Sequence, residues 1–111
     1  MTILDTNVIS EVMRPKPSSQ VLSWVQAQPS RELFTTAITV AEIYYGIELL
    51  AKSKRREVLQ AAADGIFALD FADRTLAFDG DAARIFSSIC ARRRGSGRPI
   101  SQSDAQIAAI T

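Results

Sequence analysis

Three carboxylates of this sequence stand where helices are predicted to begin. Asp5 directly follows a short apolar run, Glu42 lies one turn into a predicted helix, and Asp104 opens the last predicted helix. If a sheet places these helix starts side by side, the carboxylates converge. Two unit charges about 4 Å apart repel by about 4 kcal/mol at an effective dielectric of 20, and a helix N-terminus offsets only about 0.3–1 kcal/mol per charge. A divalent cation would neutralise the repulsion. Oxygen ligands favour Mg²⁺ or Mn²⁺, which can orient a water molecule for phosphoryl transfer.

Helix capping is the alternative explanation for the same three residues. The spacing Thr39-x-x-Glu42 matches a capping box, in which Glu42 would bond the amide of Thr39, and Ser101-x-x-Asp104 is a looser match. Asp5 would cap a helix that begins just after it. Each cap contributes about 1 kcal/mol and needs no metal. Capping therefore explains each residue taken singly, and both explanations stay open.

The composition restricts the other chemistry that is open to the chain. It has 111 residues, of which 47% are hydrophobic and 23% are charged, so we expect one globular domain over residues 1–111. Histidine is absent and Cys90 is the only cysteine, which excludes Ser-His-Asp triads, histidine–zinc sites and internal disulfides. The net charge of +1 excludes a uniformly basic surface but allows a local basic patch. No segment reads as a membrane span or a signal peptide, so we expect a cytoplasmic protein without a membrane partner.

Strand and helix signals alternate along the chain and set where the three acids would lie. Short apolar runs predict strands at residues 2–4, 33–36 and 66–71. Helical signals are found at about residues 8–13, 21–25, 39–50, up to 63, 82–94 and 104–110. This alternation predicts an α/β fold with a parallel sheet. Ligands bind at the carboxyl ends of such strands, and Asp5 is expected there.

Three local motifs resemble those of PIN-domain ribonucleases. They are ILDTNVIS at residues 3–10, TVAEIYYG at residues 39–46 and SDAQIAA at residues 103–109. Their order and spacing are also similar to the family, in particular to toxins of the VapC type and their Fit-like branch. The resemblance covers essentially the whole chain. It implies a three-layer α/β/α fold with a central parallel sheet, and an acidic pocket that cleaves RNA phosphodiesters with Mg²⁺ or Mn²⁺.

The resemblance also implies roles for individual residues and partners. Carried over by position, Asp5, Glu42 and Asp104 are the catalytic acids that bind the metal. Thr6 would orient Asp5 or a metal-bound water, and Asn7 is a further supporting residue whose alternative role is to bond the turn backbone. The implied partners are an RNA substrate, a cognate antitoxin and a second copy of the chain. DNA would be bound only indirectly, through the antitoxin.

One departure from the family leaves a second function open. Family members usually continue past the third motif into further strands and another acidic or polar residue. The resemblance therefore implies that one or more C-terminal strands are missing from this chain. The alternative function is that of a catalytically inert PIN remnant, which only binds an antitoxin or another partner.

Two basic stretches are candidates for contact with a polyanion. The first lies at the end of the helix predicted at residues 82–94. It would contact an RNA backbone, or alternatively it is a solvated helix end whose cations complement the helix dipole. It consists of Arg92, Arg93, Arg94 and Arg98. The second, at residues 52–56, is interpreted as a solvated turn between helices or as part of a partner surface.

Overall fold

The sheet of the computed structural model, which describes residues 1–111, contains three short parallel strands. They are β1 (Thr2–Ile3), β2 (Leu33–Thr36) and β3 (Thr75–Leu76), in the order β1-β2-β3. Parallel neighbours require a crossover connection, which is usually helical. The predicted α/β class with a parallel sheet is therefore confirmed.

Six α-helices connect and flank the strands. They are α1 (Thr6–Val12), α2 (Ser19–Ala27), α3 (Ala37–Glu48), α4 (Lys54–Gly65), α5 (Gly80–Gly95) and α6 (Gln102–Ile110). Each begins at a side-chain oxygen that accepts an amide N–H from the first turn, which stabilises a helix start by about 1 kcal/mol. The capping residues are Asp5, Ser18, Thr36, Ser53, Asp79 and Ser101. No helix of the structure combines the length and the apolar composition needed to cross a bilayer.

The strand predicted at residues 66–71 is wrong. Ile66–Asp70 instead forms a π-helical segment that continues α4, and the third strand follows at Thr75–Leu76. Ile66 and Phe67 pack against the core from this helical segment. A short apolar run fits either a buried strand or a buried helix, and here the preceding helix continues through it.

The hydrophobic core lies between the strands and the helices α1, α3 and α4. Ile43 and Ile47 are one turn apart on α3 and so face the same side of that helix. Helix α6 packs against α5 and also against α3, which brings the last predicted motif next to the helix that carries the second. The core residues are Leu4, Ile9, Leu33, Ile43, Ile47, Ala63 and Phe71.

Candidate active site

The carboxyl ends of β1 and β2 set the starts of α1 and α3 side by side. The Leu4 amide donates to the Phe34 carbonyl at 2.8 Å, which extends the strand pairing by one residue. The buried hydroxyl of Thr35 donates in turn to the Leu4 carbonyl at 3.2 Å. The two chain segments leave the sheet side by side, because Asp5, which follows Leu4, and Thr36, the last residue of β2, are the N-caps of the two helices.

A hydrogen-bonded group of side chains joins these two helix starts. Thr6 Oγ1 lies 2.9 Å from Glu42 Oε1 and 3.1 Å from Thr39 Oγ1. Thr39 Oγ1 lies 3.3 Å from Thr36 Oγ1, and Thr36 Oγ1 also accepts the Thr39 amide at 3.1 Å. We call Thr6, Thr36, Thr39 and Glu42 the hydroxyl–carboxylate cluster.

Buried polar side chains occur only at this edge of the sheet. Thr35, Thr36 and Thr39 are each 0% exposed, and no other polar or charged residue of the chain is buried. A buried hydroxyl without a partner costs about 1–3 kcal/mol. No buried side-chain nitrogen or oxygen lacks a hydrogen bond, so the three threonines are fully accommodated. Thr36 and Thr39 are not among the site residues predicted from the sequence, because Thr36 is interpreted there as a strand residue and Thr39 as a helix cap.

Asp5 acts as a helix cap, and it also retains an unused oxygen. Its Oδ1 accepts the Val8 amide at 3.0 Å, so the capping explanation is confirmed for this residue. Its Oδ2 makes no hydrogen bond within the chain, and the residue is exposed. Asn7 is exposed as well, and the alternative bond from its side chain to the turn backbone is not observed.

Glu42 is not part of a capping box, so the capping explanation is wrong for this residue. Helix α3 begins earlier than predicted, and the Thr39 amide bonds the hydroxyl of Thr36 rather than Glu42. Glu42 is partly buried and accepts a hydrogen bond from Thr6 through Oε1. Its Oε2 has no partner in the chain. The cap at Thr36 displaces the predicted one because β2 ends at that residue.

Asp104 lies in the first turn of α6, where the hydroxyl of Ser101 accepts its amide at 3.1 Å. Its exposed carboxylate bonds no other residue of the chain. No three acidic side chains of the structure lie close enough together to hold a metal ion as a group. The structure therefore connects Asp5 and Glu42 through Thr6, which follows Asp5 directly and bonds Glu42. It leaves Asp104 on a neighbouring helix, outside the hydrogen-bonded cluster.

The free carboxylate oxygens suit a hydrated cation. Asp5, Glu42 and Asp104 each keep at least one oxygen without a protein partner, and none of them forms an ion pair with lysine or arginine. Mg²⁺ usually retains several waters and binds to only one or two protein carboxylates. A closed set of three acids is therefore not needed, and the donors present fit a divalent cation of this kind.

A groove of about 500 Å³ opens beside Glu42, between α1, α3 and α4. Three cations line it, Arg14, Lys54 and Arg55. Arg14 pairs with Glu11 at 3.1 Å, whereas Lys54 and Arg55 belong to no ion pair. Of the basic stretch at residues 52–56, Lys54 and Arg55 thus face the groove from the first turn of α4, whereas Lys52 and Arg56 line a separate pocket. A larger cavity of about 600 Å³ is lined mainly by apolar residues and contains none of the three acids.

The arginine cluster at the end of α5, which is a predicted contact for an RNA backbone, is fully exposed. Arg93 Nε donates to the Arg98 carbonyl at 2.7 Å, which closes the loop around Gly97. Gly97 has a φ of 71°, a conformation that glycine adopts without a steric penalty. The loop leads into α6, so the basic cluster precedes the helix of Asp104. The four arginines are Arg92, Arg93, Arg94 and Arg98.

Tyr44 anchors α3 on the side of the helix roughly opposite Glu42. Its hydroxyl donates to Asp64 Oδ1 of α4 at 2.6 Å, and its ring lies 5.7 Å from that of Phe67. The hydrogen bond to the Asp64 carboxylate, together with burial, raises the pKa of Tyr44 to about 12. The helix that carries Glu42 is thus tied to α1 through Thr6 and to α4 through Tyr44.

Comparison of the sequence with known proteins identifies the family. The PIN domain model matches residues 2–111. A protein named VapC ribonuclease from Sinorhizobium fredii is 40% identical over 109 residues, which cover 98% of this chain and 78% of the relative. Toxin FitB of Neisseria gonorrhoeae is 38% identical over 109 residues, with the same two coverages.

Solved structures are similar over nearly the whole chain. FitAcB from Neisseria gonorrhoeae superposes with a TM-score of 0.89 at 37% identity, and the match covers 99% of this chain and 79% of that one. DNA-bound VapBC from Salmonella typhimurium superposes with a TM-score of 0.76 at 26% identity, and the match covers 96% of this chain and 75% of that one. The motifs, the parallel sheet and these matches agree, and the chain belongs to the PIN-domain family.

Proposed function

We propose that this chain is a divalent-metal-dependent endoribonuclease and the toxin of a toxin–antitoxin pair. The observation that carries the proposal is the 2.9 Å hydrogen bond from Thr6 to Glu42. This bond ties Glu42 to the residue that follows Asp5, at the carboxyl ends of two parallel strands, where ligands of α/β sheets bind. Membership of the PIN-domain family and similarity to proteins named VapC ribonuclease and Toxin FitB support it.

In this proposal Asp5 and Glu42 hold the cation, and Asp104, which stands apart from them on the neighbouring helix α6, is the third predicted ligand. A bound Mg²⁺ or Mn²⁺ would supply charge neutralisation at the phosphate and an oriented water. Thr6 fixes one oxygen of Glu42 and leaves the other available. The chain has no histidine, so in this proposal the acids and the cation, rather than an imidazole, would manage the proton of the attacking water. Asn7 stands exposed next to Thr6 as a supporting residue.

The groove beside Glu42 supports an RNA substrate. Arg14, Lys54 and Arg55 line it, and cations that neutralise phosphates supply affinity that does not depend on sequence. A second basic surface at the end of α5 precedes Asp104 along the chain. We propose that the RNA backbone contacts the groove and extends toward this second surface, which consists of Arg92, Arg93, Arg94 and Arg98.

The solved structures support a cognate antitoxin as the protein partner. They are FitAB and VapBC complexes, and some of these are bound to DNA. We propose that this chain binds an antitoxin in the same way, that DNA is contacted through the antitoxin, and that two copies of the chain associate in the cytoplasm. Tyr45 on α3 and Leu49, the residue that caps the end of this helix, support protein contacts, because they are 66% and 67% exposed.

A partner-binding module without catalysis is the second candidate function. The observation in its favour is that no three acidic side chains lie close enough together to hold one metal ion. Such a module would bind the antitoxin and leave RNA intact, whether or not a divalent cation is present.

The test is an RNA cleavage assay with the purified chain. We expect cleavage of a panel of RNAs, including tRNA, in Mg²⁺ or Mn²⁺, and its loss on chelation or in Glu42→Gln. Glu57→Gln is the matched control, because Glu57 is an exposed acid in the first turn of α4 without a role in the site. A chain that is folded by circular dichroism but does not cut RNA would support the binding module. Full cleavage by Glu42→Gln would refute the assignment of Glu42.

A further inference from the structure

The hydroxyl–carboxylate cluster has one consistent arrangement of hydroxyl protons. A threonine hydroxyl donates a single proton, and an ionised carboxylate only accepts. Because Thr6 Oγ1 lies 2.9 Å from Glu42 Oε1, and that oxygen has no other donor in the chain, the Thr6 proton is directed at Glu42. The 3.1 Å contact between Thr6 and Thr39 must then use the proton of Thr39.

The same reasoning continues to the start of α3. Since Thr39 donates to Thr6, it accepts in its 3.3 Å contact with Thr36. Thr36 is able to donate there, because its oxygen receives the Thr39 amide at 3.1 Å and its own proton remains free. All donors therefore run in one direction, from Thr36 through Thr39 and Thr6 to the carboxylate of Glu42.

Burial keeps this order in place. Thr36 and Thr39 are 0% exposed, so water cannot replace their partners. If the order were reversed, Thr6 would present only lone pairs to Glu42, and two acceptors would face each other at 2.9 Å. Hydrogen bonds in such surroundings also polarise one another, which strengthens the last bond of the chain.

We propose that Thr36 and Thr39 are positioning residues that act through Thr6 to hold Oε1 of Glu42, so that Oε2 is left for a divalent cation. The role of the cation rests on the proposed function, whereas the order of the hydroxyls does not. Helix stability alone does not account for Thr39. Valine has the same branched shape and would fill this buried position with no hydroxyl of its own to satisfy.

The experiment measures hydroxyl protons by NMR without metal and Mn²⁺ affinity by electron paramagnetic resonance. In the wild-type chain we expect slowly exchanging hydroxyl protons on Thr6 and Thr39, with a nuclear Overhauser contact from the Thr6 hydroxyl to the Glu42 side chain. In Thr39→Val the Thr6 hydroxyl signal should be lost to exchange, and Mn²⁺ affinity should fall about 10-fold or more, as is usual when a group supporting a ligand is removed. Thr39→Ser keeps the hydroxyl and should restore both.

Thr35→Val is the matched control. Thr35 is equally buried, but its hydroxyl donates to the Leu4 carbonyl and takes no part in the cluster. This variant loses one buried hydrogen bond, so it should be destabilised while keeping the Thr6 hydroxyl signal. It therefore separates a general loss of stability from a loss of hydroxyl order.

Three results would overturn the proposal. They are a wild-type Thr6 hydroxyl directed at Thr39, a folded Thr39→Val that binds Mn²⁺ as the wild type does, and a Thr39→Ser that behaves like Thr39→Val. The first needs only the wild-type chain, so it decides the matter even if Thr39→Val does not fold. Absence of RNA cleavage would refute the proposed function, and the hydroxyl and Mn²⁺ measurements would still decide the role of the threonines.

Discussion

Asp5 combines two roles that substitution can separate, helix capping and cation binding. As a cap it accepts the Val8 amide at 3.0 Å, and Asp5→Ala should remove about 1 kcal/mol of stability. It should lose a further 0.3–1 kcal/mol, roughly, because the first turn of α1 has no other negative charge. Asp5→Asn keeps a capping oxygen and loses only the charge, so without metal it should cost only about 0.3–1 kcal/mol.

A divalent cation should make Asp5→Asn more destabilising than it is without metal. At a free concentration about 100 times its dissociation constant, a cation bound only to the folded chain adds about 2.7 kcal/mol to the free energy of unfolding. Asp5→Asn removes a ligand charge, so it should lose most of that increment, which is more than it loses as a cap. Urea unfolding followed by circular dichroism, with and without Mn²⁺ at constant ionic strength, measures both quantities.

Asp79 provides a matched control for the cap. Its Oδ1 accepts the Ala82 amide at the start of α5 at 2.9 Å, which is the contact that Asp5 makes at α1. Asp79→Ala should therefore lose a similar cap contribution without metal, with a smaller loss from charge because Asp81 remains in the first turn of α5. Both Asp79 variants should keep the full increment from Mn²⁺. If Asp5→Asn also keeps that increment, Asp5 is a helix cap only and the argument for a metal at this edge fails.

Three further predictions concern titration, packing and RNA binding. The pKa of Tyr44 is raised from 10.0 to about 12 in the folded chain, so its stabilising contribution is complete below pH 10 and is lost as the pH rises from 10 to 12. An ultraviolet absorbance titration should show a late step that Tyr44→Phe removes, and a late step that persists in this variant would contradict the assignment. Ile47→Ala truncates a side chain that is only 4% exposed, so it should lower the free energy of unfolding by about 2–5 kcal/mol. A smaller loss in urea unfolding would mean that the core collapses into the cavity left by the truncation. Replacing Lys54 and Arg55 with glutamine should weaken the salt dependence of binding to single-stranded RNA. The slope of log affinity against log salt should fall by about 0.7 for each phosphate that is no longer neutralised. An unchanged slope would mean that RNA does not bind in the groove.

Local sequence signals are sufficient for the starts of α1 and α6 and for the fold class, but not for the start of α3 or the third strand. Asp5 and Ser101 cap the helices that their positions predict, because a cap depends on only three or four neighbouring residues. The run at residues 66–71 is too short for its periodicity to distinguish helix from strand. There the outcome depends on the preceding helix α4, which continues directly into the π-helical segment.

The acids of the candidate site and Thr6 are visible in the sequence, whereas Thr36 and Thr39 behind them are not identified as site residues there. Thr6 and Thr39 are 33 positions apart, and they meet because β1 and β2 pair in a register that sets the starts of α1 and α3 side by side. A shift of that register by one residue would turn every side chain of the strand to the other face. The contact between Thr6 and Glu42 is therefore a consequence of strand pairing that no local motif encodes.

Asp104 depends on a different kind of interaction from the other two acids. Asp5 and Glu42 are positioned through hydrogen bonds at the strand ends, whereas Asp104 is carried by α6, which packs against α5 and α3. Ala105 and Ala109, one turn apart on α6, are 0% and 5% exposed, so this packing uses small side chains. The positions of Asp5 and Glu42 therefore both depend on the pairing of the strands. The distance of Asp104 from them depends instead on how closely α6 approaches α3.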